Sequence, residues 1–336
     1  MAPLRWGIAS TGRISNDFCA ALSALPAENH KIVAVAARNL ADAKSFAEKF
    51  EIPMFYEGYE SLAKNDEIDI VYIGTLNHTH LDIDLMLLDG NKHILCEKPL
   101  TLNLKQTTKL LECAKEKNLL CVEAIWSRFF PSYQYLKKRI DDGDLGEIKE
   151  VDVSFGFDWT GEGSDRVTKK ALGGGTVLDL GVYTIQVSLF ALRDEPTSIK
   201  ATGKLNDDEV DVETEVEIKF AKGGIAKIKT SCLKMLDNKA VIRGTKGSMT
   251  LHQVWCPTQV TDIDGTTKVF ELPKHRLGDF NYPNSVGLSY EAEEIRKCFN
   301  AGLTECDVVT RKESLTISRI QDEIRRQIGV VYDADK

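Results

Sequence analysis

LRWGIASTGRISNDF, residues 4–18, decides the fold. Its first residues are apolar and prone to β structure, and the rest reads as a tight turn opening a helix. Gly7 and Gly12 stand in the outer positions of a phosphate-binding turn, and Ala9 fills the middle one, giving G-x-A-x-x-G. In such a turn the first glycine permits the bend, the second lets backbone approach a pyrophosphate, and the third allows close helix-to-strand packing. Ala9 adds one methyl group, which narrows the approach without closing it, and the helix amides after Gly12 can still face an anion. An ordinary strand-to-helix corner carries the same glycines, so the flanking pattern has to decide.

Working outward, LRWGIAS, KIVAVAA (31–37), DIVYIG (69–74), HILCEK (93–98) and LLCVEAI (119–125) are short, continuously apolar runs. Runs of that kind fit strands buried on both faces of a parallel sheet. Residues 39–50, 79–88 and 103–115 read as helices between them, with Asn39, Thr79 and Asn103 as N-caps. This spacing gives right-handed βαβ units, hence an α/β Rossmann domain with a doubly wound parallel sheet over residues 1–126 and ligands at the C-terminal strand ends.

The second strand, KIVAVAARN, ends in Arg38. A carboxylate there would hold ribose hydroxyls and repel a 2′-phosphate, whereas a guanidinium pairs with that phosphate, so NADP is favoured over NAD. A solvated surface arginine is the plainer alternative.

The pattern changes after residue 126. Alternating apolar positions flank Gly223-Gly224, Gly244 to Gly247 and Asp264-Gly265, which are hairpin signals. Residues 127–336 are therefore expected to form an α+β domain with a largely antiparallel sheet. Two helices interrupt it: one over 173–192, beginning near a glycine-rich loop, and one after Thr310. The latter has a capping-box pair in Thr310 and Glu313, apolar Ile317, Ile320, Ile324 and Ile328 on one face, and Gly329 at its end.

A chain of 336 residues exceeds one comfortable core, and about two domains is the natural expectation. A composition of 43% hydrophobic and 28% charged residues is that of a compact soluble protein. The net charge of −8 argues against general affinity for nucleic acid or an anionic membrane, and leaves room for a local anion pocket. Eight scattered cysteines without a CxxC pair indicate reduced thiols. The N-terminus enters a strand without a signal-like apolar region, and no apolar stretch approaches the ~20 residues of a membrane span, so a cytoplasmic location is expected.

The fourth apolar run leads into Cys96-Glu97-Lys98-Pro99, where the proline biases Lys98 away from helical geometry. A lysine at a strand end in the cleft is placed to hold a substrate hydroxyl or help move its proton; a surface ion pair is the alternative. His78 and His80, two apart in Asn77-His78-Thr79-His80 and without a carboxylate or cysteine partner in sequence, make a poor zinc site. No metal is expected.

Taken in order, GIASTGRIS, AAR, YIGTLNHTH, CEKPLTLN, EAIWSRFFP, GGGTVLDLGVYTIQ, RGTKGSM, WCPT and GLSYEAE resemble the Gfo/Idh/MocA family of NAD(P)-dependent oxidoreductases. Within it they are similar to the group of dimeric dihydrodiol dehydrogenases and NADP-dependent D-xylose dehydrogenases. The resemblance covers nearly the whole chain, and its EKP and LDLGVY motifs are far more specific than the glycine turn. It implies NADP as cofactor, held by Gly7, Ala9, Ser10, Thr11, Gly12, Arg13, Ile14, Arg38, Thr75, Asn77, His80, Glu97 and Lys98.

The resemblance also implies a catalytic set of Lys98, Tyr183 and Asp179, with Tyr183 where many family members have histidine. Trp126, Phe155 and Phe280 then line the substrate pocket, with core packing as the alternative for each. Arg128 holds either substrate or a structural carboxylate. Homodimers through the open sheets are implied, with a small diol or sugar as substrate and neither nucleic acid nor membrane as partner. Another sugar or carbonyl reductase of the family, or a nucleotide-binding sensor without turnover, is the alternative.

Chemically the set is coherent. Oxidising an alcohol requires loss of hydride to a nicotinamide and of a proton to a base or relay. Free Tyr and Lys ionise near pH 10, and a neighbouring cation favours tyrosinate and neutral lysine. One departure stands out: Ala41-Asp42 occupies the place where the dihydrodiol dehydrogenases can carry a second basic residue after Arg38, which weakens the NADP preference.

Overall fold

The computed structural model describes residues 2–161 and 164–336, which form two units. The first comprises the chain up to Thr101, Lys105–Phe129 and Leu272–Ser314. The second comprises Leu102–Leu104, Phe130–Glu271 and Leu315–Lys336.

The first unit is built on six parallel strands, β1 (Leu4–Ala9), β2 (His30–Ala37), β3 (Met54–Glu57), β4 (Ile70–Ile73), β5 (His93–Glu97) and β6 (Cys121–Ala124), in the order 3-2-1-4-5-6. That order reverses between β1 and β4, which is the switch point where open α/β sheets bind ligands. The intervening helices are α1 (Arg13–Leu22), α2 (Leu40–Phe50), α3 (Glu60–Lys64), α4 (His80–Asp89) and α5 (Leu104–Glu116). The apolar runs became β1, β2, β4, β5 and β6, and β4 and β6 are buried at every position. β3 was not expected, because MFYE is four residues long and half-exposed.

Asn39 caps α2, its Oδ1 accepting the Asp42 amide at 2.8 Å. Thr79 stands at the N-cap position of α4 but makes no side-chain cap, since its hydroxyl donates backward to Thr75 Oγ1 and the Leu76 carbonyl. Asn103 precedes α5, and its amide donates to Asp335 and the Ala334 carbonyl.

The second unit holds α6 (Pro131–Asp141), β7 (Ile148–Gly156), α7 (Asp165–Thr168), α8 (Thr176–Asp179), α9 (Gly181–Leu192) and strands β8 (Pro196–Leu205), β9 (Asp211–Phe220), β10 (Ile225–Ser231), β11 (Lys239–Gly244), β12 (Gly247–His252), β13 (Gln259–Thr261) and β14 (Thr267–Val269). They form one eight-stranded sheet ordered β14-β13-β12-β11-β7-β10-β9-β8. All neighbours are antiparallel except β7 and β10, and the three expected hairpins are present. Val216, Ile218, Ala226 and Ile228 alternate inward, while Glu215, Lys227 and Lys229 face solvent.

The single helix expected over 173–192 is instead broken at Leu180, where α8 ends and α9 begins. With its preceding turn, Lys170–Leu192 has the length and hydropathy of a membrane span, contrary to the expectation that no such stretch exists. Its apolar window is 83% buried within the protein, which marks it as a core segment.

The expected boundary at residue 126 also differs from the structure, because 272–314, including α10 (Leu288–Asn300), belongs to the first unit. The physical reason is a set of long-range tethers. Asp17 on α1 accepts the backbone amides of Asn281 and Tyr282, and the Ser23 hydroxyl accepts those of Arg276 and Leu277. The last helix, α11 (Arg311–Ile328), has the expected capping box: Glu313 Oε2 accepts the Thr310 amide and Thr310 Oγ1 accepts the Glu313 amide. Ile317, Ile320 and Ile324 are buried, and Gly329 ends the helix at φ 84°.

Candidate active site

The expected site residues fall on both units. In the first, Gly7 lies within β1, where the absence of a side chain admits Ile68. Ala9 ends the strand, and its carbonyl accepts the Gly74 amide at 3.1 Å. Ser10 follows at φ 100°, a conformation favouring glycine and costly for serine. Its hydroxyl accepts the Gly12 amide at 3.0 Å.

Gly12 is the N-cap of α1, and neither a side-chain cap nor an acidic residue occupies the first turn at Arg13 and Ile14. A ten-residue helix whose first amides are uncapped behind a tight turn fits a pyrophosphate. Gly74, which the sequence reading passed over, makes the turn possible: a Cβ there would overlap Ser15 Oγ and press on Ile14.

Arg38 is exposed just beyond β2, and its charge acts on half-buried Tyr59. Asp42, the acidic residue in the first turn of α2, is held by the Asn39 amide at 2.5 Å and keeps its charge near this strand end.

Lys98 follows β5 in a turn fixed from several sides. Glu97, buried, accepts the Tyr72 hydroxyl at 2.6 Å and the Lys98 amide at 3.2 Å. Buried His80 contacts the Pro99 carbonyl through Nδ1 at 2.9 Å and the Thr75 carbonyl through Nε2 at 3.3 Å. Burial lowers its pKa, so it remains neutral and its one N–H serves the closer carbonyl. Glu123, on β6, accepts the Leu100 amide at 3.1 Å. The structure thus brings Thr75, His80, Glu97 and Lys98 into one cluster. Asn77 is buried in the adjoining 3-10 turn, and His78 is exposed.

In the second unit, Asp179 ends α8 and Tyr183 lies in the first turn of α9. Both are buried. Arg166 grips Asp179 with two hydrogen bonds, at 2.8 and 3.2 Å, and stacks over Trp159 at 4.8 Å. Tyr183 packs edge-on against Phe155 at 5.5 Å, and Phe155 stacks on Trp255 at 4.8 Å. An aromatic wall thus stands beside a phenol, and a charge-compensated carboxylate lies one turn away.

Arg166, Trp255, Phe157 and Trp159 were not anticipated. The period-two aromatics at 155, 157 and 159 were a usable signal; an arginine in the short helix α7, 13 residues before its partner, was not. Trp126 is buried in a 3-10 turn, and Arg128 beside it binds Glu313 at 2.8 Å, which is the structural-carboxylate alternative. Phe280 lies on the tethered 272–284 segment against His275. Among the described residues no group of three His, Cys, Asp or Glu is arranged to hold a metal.

Residues 4–124 match a family model described as an oxidoreductase family with an NAD-binding Rossmann fold, and residues 133–250 match the Gfo/Idh/MocA C-terminal domain. The chain is 41% identical over 334 residues to trans-1,2-dihydrobenzene-1,2-diol dehydrogenase of Danio rerio, covering 99% of each chain. The chain belongs to the Gfo/Idh/MocA family. Its similarity to the Bos taurus protein of the same name is 38% over 335 residues, again 99% of each. Among solved members, a 3-ketoreductase from Actinomadura kijaniata, in complex with NADP and TDP-benzene, is 25% identical with a TM-score of 0.81 over 97% of this chain and 98% of that one. A Gfo/Idh/MocA oxidoreductase accounts for both the parallel sheet with its uncapped turn and the eight-stranded partner sheet.

Proposed function

We propose that the protein is an NADP-dependent dehydrogenase that oxidises trans-dihydrodiols of aromatic hydrocarbons, pyranoses such as D-xylose, or both, and reduces the corresponding dicarbonyls in reverse. The observation that carries this reading is the co-occurrence, in one unit, of the uncapped α1 N-terminus and the Lys98 turn clamped by Glu97, His80 and Glu123. The names of the full-length relatives support the substrate class. NADP, when bound, accepts the hydride. The uncapped first turn at Arg13 and Ile14 would offer amides to its pyrophosphate, and Arg38 would pair with its 2′-phosphate.

Lys98 holds a substrate hydroxyl, and Tyr183 takes the proton as the carbonyl forms. Asp179 orients this chemistry, and Arg166 keeps its buried charge compensated. Phe155 and Trp255 present apolar faces suited to a diol ring or the C–H face of a sugar. Trp126 and Phe280 complete the proposed lining.

A cytoplasmic location is the reading we give to eight scattered cysteines without a CxxC pair, the usage of a reducing compartment. Homodimerisation is supported by the broad solvent face of the eight-stranded sheet, which displays both signs of charge, as in the Lys229–Glu215 and Lys227–Glu150 pairs.

The test is nicotinamide reduction with NADP and NAD in parallel, against trans-dihydrobenzenediol, D-xylose, D-glucose and an acyclic diol. Turnover with NADP is expected, with the first two substrates preferred. Tight NADP binding without turnover would replace the dehydrogenase with a sensor.

A further inference from the structure

We propose that Glu123 is a positioning residue for Lys98: its carboxylate, buried behind the turn, fixes the backbone that carries Lys98 and sets a titratable charge on the neighbouring strand. The inference rests on the reading of Lys98 given above. Glu123 lies in β6, the strand beside β5, and pairs in register with Cys96, just before Glu97 and Lys98. Its Oε1 accepts the Leu100 amide at 3.1 Å and its Oε2 accepts the Ser314 hydroxyl at 2.6 Å. The lysine is thus bracketed: Glu97 takes its own amide, His80 the carbonyl of the next residue, and Glu123 the amide after that. Two of these three clamps are side chains from outside the turn, which is how a flexible lysine is held on a fixed base.

Glu123 is 3% exposed, and burial pushes its pKa up to about 7 against the pull of the Ser314 hydroxyl, the Leu100 amide and the Lys98 charge. The other charged group acting on it is Glu313, which raises it and is itself paired with Arg128; the buried Cys121 thiol lies two residues back on the strand. The hydrogen-bond pattern survives either protonation state. A proton on Oε2 can be donated to Ser314 Oγ while Oε1 still accepts from Leu100. Titration therefore changes the charge on the neighbouring strand and leaves the turn in place. Above about pH 7 the carboxylate is charged; below it the charge is lost.

Glu123→Gln copies the protonated form, and Glu123→Ala removes the tie as well. The experiment is the pH profile of kcat/KM and kcat for the full-length protein with NADP and trans-dihydrobenzenediol, alongside NADP affinity by fluorescence titration. The parent is expected to show an ionisation near pH 7, and Glu123→Gln to lose it and match the parent's acid-side value throughout. Glu123→Ala is expected to lose about a hundredfold in kcat at every pH, as misplacement by about 1 Å can cost, with NADP affinity unchanged. If Glu123→Ala does not fold, the Gln profile alone carries the test. A Gln profile superimposable on the parent's overturns the inference. Lys98→Met, measured in parallel, separates the two readings: its inactivity beside an unaltered Glu123→Gln removes only the positioning role, whereas its retained turnover removes the role of Lys98 itself.

Discussion

The turn at 7–12 and the loop at 173–175 are both glycine-rich and both lead into a helix, yet the two have opposite interiors. At the first, the helix begins without a side-chain cap. At the second, the Asp211 carboxylate already accepts the Val177 amide and the Thr176 hydroxyl, both at 2.7 Å, inside the first turn of α8. Gly175, at φ 122°, sits where a Cβ would overlap that same carboxylate and crowd the Tyr332 hydroxyl. One glycine cluster leaves the first helix amides without a side-chain cap, and the other makes way for the protein's own anion. Glycine content alone cannot separate them; the partner of the first-turn amides does.

The contrast breaks if the two loops respond alike to an added methyl group. Gly175→Ala combines a left-handed strain with a clash against a buried carboxylate and is expected to destabilise the second unit by about 3 kcal/mol, read as a fall in the urea midpoint or loss of soluble protein. Gly12→Ala is expected to leave stability nearly unchanged, since its Cβ would meet only Ser10 Oγ at 3.3 Å and the Gly74 carbonyl at 3.7 Å. Its cost falls on the ligand, about tenfold in NADP affinity or ~1.4 kcal/mol, measured by calorimetric titration. An equal stability loss in both variants would erase the distinction.

Arg38→Ala sharpens the ligand side: NADP affinity is expected to fall about tenfold while NAD affinity holds. Equal weakening of both would remove the 2′-phosphate role.

The smallest effect concerns the strand that feeds the first turn. Trp6 donates its indole N–H to His30 Nδ1, and His30 Nε2 then faces Glu293 at 3.0 Å. Arg296 foremost, with His30, holds the Glu293 pKa down to about 2. A carboxylate depressed from its unfolded value near 4.3 stabilises the fold above that pH, and the contribution is lost as pH falls toward 2. After solvent screening this is worth about 1 kcal/mol, so Glu293→Gln is expected to lower neutral-pH stability by that much and flatten acid unfolding between these limits.

Much of this was legible in the string. Continuous apolar runs located five of the six parallel strands, glycine and Asp-Gly turns located the hairpins, and Thr310 with Glu313 marked the start of α11, because each signal acts over a few residues. Lys98 and Arg38 were legible as polar residues just past strand ends. β3 was hidden by its exposure, and the break at Leu180 by an apolar run that continues through it. The Arg166–Asp179 clamp and the Glu123–Leu100 bond depend on partners that only folding brings together.

The return of residues 272–314 to the first unit sets a timetable for synthesis. A nascent chain that has emerged only through β6 has its parallel strands but lacks the amides that occupy Asp17, the carboxylate that meets His30 and the hydroxyl that meets Glu123. Domains usually fold in order as they leave the ribosome, and long-range closure is slow. Here the N-terminal unit is finished late, after the second sheet has been made, so a fragment ending near residue 129 would be born with polar groups awaiting partners that never arrive.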